Sequence, residues 1–203
     1  MSDMPGGGAL KTCGLRERKK ARTRASLRQH ALRLFREQGY LETTVEQIAE
    51  AAEVSPSTFF RYFPTKEDVV LQDDFDPIAI EKFEAQPPEL SPIAALRAAM
   101  RETFDEAPAD QIAQWRELNE LTTAVPELRA RALEDWMQSV EMIGGLIAKR
   151  LGRDPADLAV RTLAGAITGV AISVMITTLE QPSADMIELM DASLALLDDG
   201  LPL

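Results

Sequence analysis

An all-α fold follows from three features of the 203-residue chain: apolar residues recur at helical spacing almost throughout, aromatic content is only 5%, and helix-start signatures precede segment after segment. Few stretches alternate apolar and polar residues as a half-buried strand would. At 45% hydrophobic residues the chain can build real cores, in one large or two small domains. Single Cys13 excludes an intramolecular disulfide, and single His30 leaves little for a zinc site. A reducing cytoplasm fits that usage, and the N-terminus MSDMPGGGALKTCG lacks an apolar core of signal-peptide length. Its glycines predict a flexible lead-in over residues 1–14, with no strand before them and no Gly-Lys-Ser after them to make a phosphate loop.

The first long helix runs from Arg16 to Gln38, with Leu27, Ala31, Leu34 and Phe35 on one stripe and Gly39 as a stop. His30 lies beside that stripe and reads as a partly buried helix residue. Residues 44–66, TVEQIAEAAEVSPSTFFRYFPTK, then carry two short helix signatures separated by a tight turn. Thr44 has Gln47 three residues on, the spacing of a reciprocal cap, and Val45, Ile48, Ala49 and Ala52 form one apolar face. Ser55 followed by Pro56 is an N-cap with proline at the first helical position. Phe59 and Phe63 can anchor that second helix inward, leaving Ser57, Thr58, Arg61 and Tyr62 outward or sideways. Hydroxyls and a guanidinium on a short helix suit phosphates and base edges. An ordinary helical hairpin with a polar surface would look the same.

Charge distribution separates those two readings. From Lys11 to Lys66 there are twelve Lys and Arg against six Glu, whereas the remainder carries ten cations and twenty-seven anions, giving the whole chain −11 and a pI near 4.7. A basic end hidden in an acidic whole fits a nucleic-acid module joined to another domain. Arg16, Arg18, Lys19, Lys20, Arg22 and Arg24 can supply phosphate contacts. The expected division is a helix-turn-helix domain over 15–66 and a second, larger helical domain over 67–203.

Beyond the basic segment, Thr65 with Asp68 caps a further helix, and Lys66 stands at its start. Asp73, Asp74 and Asp76 crowd before Pro77, where a solvated loop is favoured over a divalent-cation site. Pro87-Pro88 marks a linker or bend between modules. Ser91-Pro92, Pro108, Pro126, Asp154-Pro155 and Ser183 then open successive helices, the one from Pro126 ending at Gly152. From Thr162 to Leu179 eighteen residues carry no charge, at the threshold of a membrane span, with Gly165 and Gly169 spaced as at close helix contacts. Threonines and a serine soften the run and no aromatic belt flanks it, so a buried helix in a water-soluble protein is favoured over a span. A subunit interface at Gly165, Gly169, Ile172 and Ile176, with Met190 and Leu194 of the last helix as neighbours, is the preferred reading; packing within one subunit is the alternative.

Met100, Phe104, Trp115, Trp136, Met137 and Met142 are candidates to line an apolar ligand cavity, because Met adapts to irregular shapes and Trp offers area plus one donor. Arg116, Arg129 and Arg131 would meet an anionic head group or lie on helix surfaces. No catalytic or cofactor-binding constellation stands out. An enzyme or a helical protein-interaction adaptor are the competing classes, and the adaptor leaves the basic segment unexplained.

The segment ALRLFREQGYLETTVEQIAEAAEVSPSTFFRYFPTKEDVV resembles the DNA-binding domain of the TetR family of transcriptional regulators. The likeness, over residues 20–70, rests on Gly39-Tyr40, the Thr44 start, the Val54-Ser55 turn, the stretch from Phe59 to Phe63 and Lys66-Glu67. DFDPIAIEKFEAQPPE and PELRARALEDW are similar to the ligand-binding domain of mycofactocin-regulator-like members, some of which sense acyl-CoA-like ligands. The resemblance implies a homodimer on a palindromic DNA operator, a three-helix reading head, and a small-molecule effector that alters the spacing of two such heads. It implies DNA contacts from Thr44, Ser55, Ser57, Thr58, Arg61, Tyr62 and Lys66, with Arg22 and Arg24 reaching the backbone or a minor groove. Two positions depart from the family pattern. Glu53 stands where glycine is common and a left-handed backbone would cost about 1 kcal/mol, and Phe60 stands where many members have tyrosine, so it reads as core or apolar contact.

Overall fold

The computed structural model describes residues 15–72, 74–181 and 183–202, without the side chains of residues 15, 17, 136 and 137. The expected flexible lead-in over 1–14 and the Asp73 ligand lie outside these residues, as do the side chains of Trp136 and Met137. Ten helices and no strand occur among the described residues. The chain divides after Val69 into two compact units, rather than between residues 66 and 67.

The first unit holds α1 (Leu15–Gln38), α2 (Val45–Ala51), α3 (Pro56–Tyr62) and the start of α4 (Asp68–Leu71). Leu27, Ala31, Leu32 and Phe35 of α1 are buried with Ile48 and Ala49 of α2 and with Phe59 and Phe63. Thr44 and Gln47 form the expected capping box, and Ser55 Oγ accepts from the Thr58 N–H at 3.2 Å. Between α2 and α3 the chain turns through Glu53 at φ 55°, with Glu53 N–H donating to Glu50 O and Val54 N–H to Ala49 O. These two bonds make a Schellman ending, whose left-handed position favours glycine. His30 is half-buried, as expected, and its Nδ1 has no hydrogen-bond partner among the described residues.

The second unit holds α5 (Asp76–Ala85), α6 (Pro92–Glu106), α7 (Ala109–Ala124), α8 (Pro126–Leu151), α9 (Leu158–Glu180) and α10 (Met186–Asp198). Its main core joins Ile93 of α6, Ile147 and Ala148 of α8, Val160, Ala164 and Ile167 of α9 and Leu194 of α10. Gly144 of α8 faces α9, where a Cβ would make ordinary van der Waals contact with that of Ala164 at 3.7 Å. Ser91 caps α6 and Gly152 ends α8 in a left-handed turn at φ 62°, both as the sequence predicts.

Four local expectations change. Asp76 and Pro77 open helix α5 instead of lying in a loop. α9 and α10 start at caps Asp157 and Asp185, each a few residues past the expected Asp154 and Ser183, because those aspartates accept the N–H groups of Ala159 and of Ile187. Pro87-Pro88 is a bend inside the second unit, since Arg150 of α8 donates to the carbonyls of Phe83, Gln86, Pro87 and Leu90 and lies over the Phe83 ring. One guanidinium thus satisfies carbonyls that the end of α5 leaves open.

Arg97 of α6 forks onto Asp191 of α10 at 2.9 and 3.2 Å, and Arg101 reaches the same carboxylate at 2.6 Å. The Arg97 hydrogen bond, which outweighs the cost of burial, and the Arg101 bond hold the Asp191 carboxyl below its ordinary range. A depressed carboxylate contributes stability that is present above its unfolded pKa of about 3.9 and lost as pH falls through the folded value.

Two stability outcomes are expected. Replacing Glu53 by Gly should raise the free energy of unfolding by about 1 kcal/mol, read as a higher urea midpoint; an unchanged midpoint would contradict backbone strain at that turn. Asp191→Asn should lower the thermal midpoint at pH 7, and the gap to wild type should narrow as pH drops below about 4. A gap of constant size across that range would show that the carboxylate charge is immaterial.

Candidate nucleic-acid interface

α3 has only seven residues, too few to be stable alone, so its orientation depends on what lies beneath it. Phe59 and Phe63 are fully buried there, their ring centroids 5.8 Å apart. With that side fixed inward, Ser57, Phe60 and Arg61 are exposed and Thr58 and Tyr62 half-exposed. Ser55 Oγ lies 2.9 Å from Ser57 Oγ and 3.0 Å from Thr58 Oγ1, so three hydroxyls gather at one end of the helix. The Arg61 guanidinium sits over the Tyr62 ring at 5.4 Å, a stacked and partly pre-set posture for a five-donor fork. Phe60 is 49% exposed and so is not core.

Basic side chains on α1 border this unit. Arg16, Arg18, Lys19, Lys20 and Arg22 are exposed, all preceding Leu27, the first fully buried α1 residue. Arg24 is half-buried, stacked over Phe63 at 4.7 Å. Arg28, one helical turn on, is buried and donates from Nε to Val69 O at 3.1 Å, which ties α4 to α1. Sequence reading counted it only as charge. Its place within the apolar stripe, next to Leu27, was the available signal.

Lys66 is the clearest change from expectation. Its Nζ donates to the carbonyls of Tyr40 and Thr43 at 2.9 and 3.0 Å and lies 4.1 Å from the Tyr40 ring centroid. Two of its three N–H donors are therefore spent inside the unit, where they pin the α1–α2 loop to the segment before α4. Tyr40 Oη completes the pin by donating to Glu67 at 3.1 Å. Burial raises the Glu67 pKa, but the backbone N–H, the Tyr40 and Thr65 hydroxyls and the Lys66 charge outweigh it and hold the carboxyl below its usual value. Thr44, exposed at the start of α2, uses its hydroxyl oxygen as a cap acceptor and keeps its proton available.

In the second unit the expected effector residues separate. Phe104 and Trp115 come together with ring centroids 4.9 Å apart, and buried Phe75 joins them at 5.2 and 6.4 Å. Met100 instead packs against the main core, and Met142 is exposed on α8. Arg116 pairs with Asp185 at 2.6 Å, Arg129 donates to the Thr123 carbonyl, and Arg131 pairs with Asp135. An open groove of about 640 Å³ lies along α9 and α10, bordered by Asp157, Leu158, Ala159, Thr162, Leu163, Ala166 and Leu197, with none of the expected effector residues. No group of three His, Cys, Asp or Glu that could hold a metal occurs among the described residues.

Of the expected interface residues, Gly165, Gly169 and Ile176 are exposed and Ile172 half-exposed on one stripe of α9, and a Cβ at either glycine would meet nothing within 4 Å. Leu194 is fully buried and Met190 packs against the core, so both belong to the interior of the subunit because α10 turns that face toward α6 and α9. α9 is long and apolar enough to cross a membrane by length and composition, yet only 28% of its apolar window is buried. Packing inside the chain does not account for the helix.

Residues 27–72 match the family described as bacterial regulatory proteins, tetR family, and residues 90–202 match the MftR C-terminal domain. The chain is 38% identical over 152 residues to the HTH-type transcriptional regulator TcmR of Streptomyces glaucescens, spanning 71% of this chain and 66% of that relative. It is 27% identical to the regulator MftR of Mycobacterium tuberculosis over 84% of this chain and 87% of MftR. Among solved structures, the TetR-family repressor FadR of Thermus thermophilus in complex with lauroyl-CoA is similar at a TM-score of 0.52 and 26% identity, covering 89% of this chain and 95% of that one. Matches to both halves, one of them over more than half the residues, agree with the reading head found in the first unit: the chain belongs to the TetR family of transcriptional regulators.

Proposed function

We propose that this TetR-family regulator acts as a ligand-responsive repressor, binding a palindromic operator as a homodimer in the cytoplasm and leaving it when a small apolar or acyl-CoA-like effector binds the second unit. The observation that carries the DNA part is the exposed Ser57–Arg61 side of α3, held outward by buried Phe59 and Phe63 and accompanied by the basic start of α1. Arg61 is suited to a bidentate grip on guanine, and Ser55, Ser57, Thr58 and Tyr62 to phosphates or base edges. Thr44, Arg22 and Arg24 would add backbone contacts. Lys66 contributes chiefly by holding α1, α2 and α4 in register.

The dimer rests on the exposed stripe of α9. Leu158, Thr162, Gly165, Gly169, Ile176 and Leu179 follow helical spacing along a side that α8 and α10 leave uncovered. A second copy can bury that stripe, and the two glycines would let its helix approach closely. A lipid contact fits less well, because Thr162 and Ser173 share the exposed side and charged Arg161 and Glu180 flank the run. The effector reading rests on the Phe75, Phe104 and Trp115 cluster, which offers apolar area beside one indole donor, and on the lauroyl-CoA bound by the FadR relative.

Selection from random duplexes should enrich one palindrome, and its affinity should fall steeply with salt, by about 0.9 in log–log slope for each phosphate neutralised. Arg61→Ala should weaken the selected operator about 5- to 150-fold and relax preference at one position. Added lauroyl-CoA should release the DNA in the same anisotropy assay. Binding without a salt slope or sequence preference would sink the regulator's DNA reading, and release by no acyl-CoA would sink that choice of effector alone.

Gly169→Glu should leave the subunit folded, since a Cβ there meets nothing, while shifting the molecular mass in light scattering from dimer to monomer. A mass that stays dimeric on dilution would place the interface elsewhere.

A further inference from the structure

Phe60 is the large apolar side chain that α3 leaves exposed among its described residues, and a lone exposed phenylalanine is ordinary on a protein surface. Its setting is not ordinary. The ring meets Phe59 edge-on, with centroids 5.5 Å apart at 88°, so a fully buried neighbour fixes its direction. At roughly 100° per residue it stands about 60° around the helix from Ser57 and 100° from Arg61, along one edge of the polar surface that faces away from Phe63. A reading helix therefore presents, in fixed places, a hydroxyl, a guanidinium and a phenyl ring.

The ring has neither donor nor acceptor, so phosphate oxygens and the polar atoms of base edges gain nothing from it. One feature of the major groove is apolar, the 5-methyl group of thymine, and apolar side chains read it by contact. We propose that Phe60 determines specificity for a thymine in each operator half-site by packing on its 5-methyl group, beside the position that Arg61 reads. The inference rests on the DNA-binding reading above and adds a named base and a named atom to it. The same contact would accept 5-methylcytosine and would be lost on uracil.

The test starts from the operator that the full-length wild-type chain selects from random duplexes. Each thymine is replaced in turn by deoxyuridine, which deletes only the methyl group. One position per half-site should lose about fourfold in affinity, the value of one buried methyl. Exchange of that base for 5-methylcytosine should bind better than exchange for cytosine by a similar factor. In Phe60→Ala, thymine and uracil duplexes should bind alike while selection at the Arg61 position persists. Phe60→Leu should keep part of the discrimination, and it serves where the alanine variant melts too early to assay.

Three results would overturn the proposal: no thymine responds to loss of its methyl, the response persists unchanged in both Phe60 variants, or those variants weaken all duplexes equally, which would assign the ring to backbone packing. Failure of the wild-type chain to select any sequence would overturn the DNA-binding reading itself, and it is seen before any Phe60 variant is made.

Discussion

Seven residues of helix supply too few hydrogen bonds to offset the cost of nucleation, so α3 exists because something else holds it. That constraint organises the whole first unit. Burial of Phe59 and Phe63 in the core of the unit holds it from below, and the Phe63 ring also carries the guanidinium groups of Arg24 and Arg28 at 4.7 and 5.7 Å. The Schellman turn through Glu53 sets the angle of entry, and the Lys66 ammonium closes the arrangement by bonding two carbonyls from the α1–α2 loop. Each of these acts on the direction in which Ser57, Phe60 and Arg61 point. A cation that looks like a DNA contact in the sequence thus also serves the fold, by bonding two carbonyl dipoles within the unit.

Legibility in the sequence followed the range of the interaction. Capping at Thr44, Ser55 and Ser91 was readable because it involves partners three residues apart, and the inward anchoring of Phe59 and Phe63 because it depends on helical period alone. The strained backbone at Glu53 was readable as a departure from a family pattern, and φ 55° agrees with it. Tertiary partners were not readable. Whether Lys66 or Arg150 faces water or a carbonyl 20 or more residues away leaves no local trace, and both bond such carbonyls, whereas Arg28 carried one signal, its place in the α1 stripe. Leu194 failed for a related reason: an amphipathic last helix has one apolar face, and period alone does not say whether that face meets its own core or another copy.

That ambiguity also governs α9. An uncharged run of eighteen residues can be a core helix, a membrane span or an interface, and composition ranks them poorly. The structure separates its sides: Val160, Ala164, Ile167, Val174 and Met175 are buried against neighbours within the unit, whereas the Gly165, Gly169 and Ile176 side is not. A helix apolar on two sides needs two environments. One is supplied by this chain, and in the proposed dimer the second is the partner subunit. Glycines that relieve no crowding inside the subunit fit an outer environment that approaches closely, as a second helix does.

Charge raises a last conflict, since a chain of −11 repels a DNA polyanion as a whole while one segment of it is net positive. Screening decides between the two. At physiological ionic strength the Debye length is about 8 Å, so charges farther than that from a phosphate contribute little, and the exposed basic residues of α1 and α3 set the local field. The acidic remainder then acts on what is not contact: it keeps the chain soluble and weakens loose, unoriented association with DNA, because orientations that present acidic surface are repelled. As salt falls and the screening length grows, that repulsion reaches farther, so the acidic residues oppose part of the usual low-salt gain in affinity. Specific binding thus depends on bringing one small surface to within bonding distance, which is what the buried aromatics and the Lys66 pin prepare.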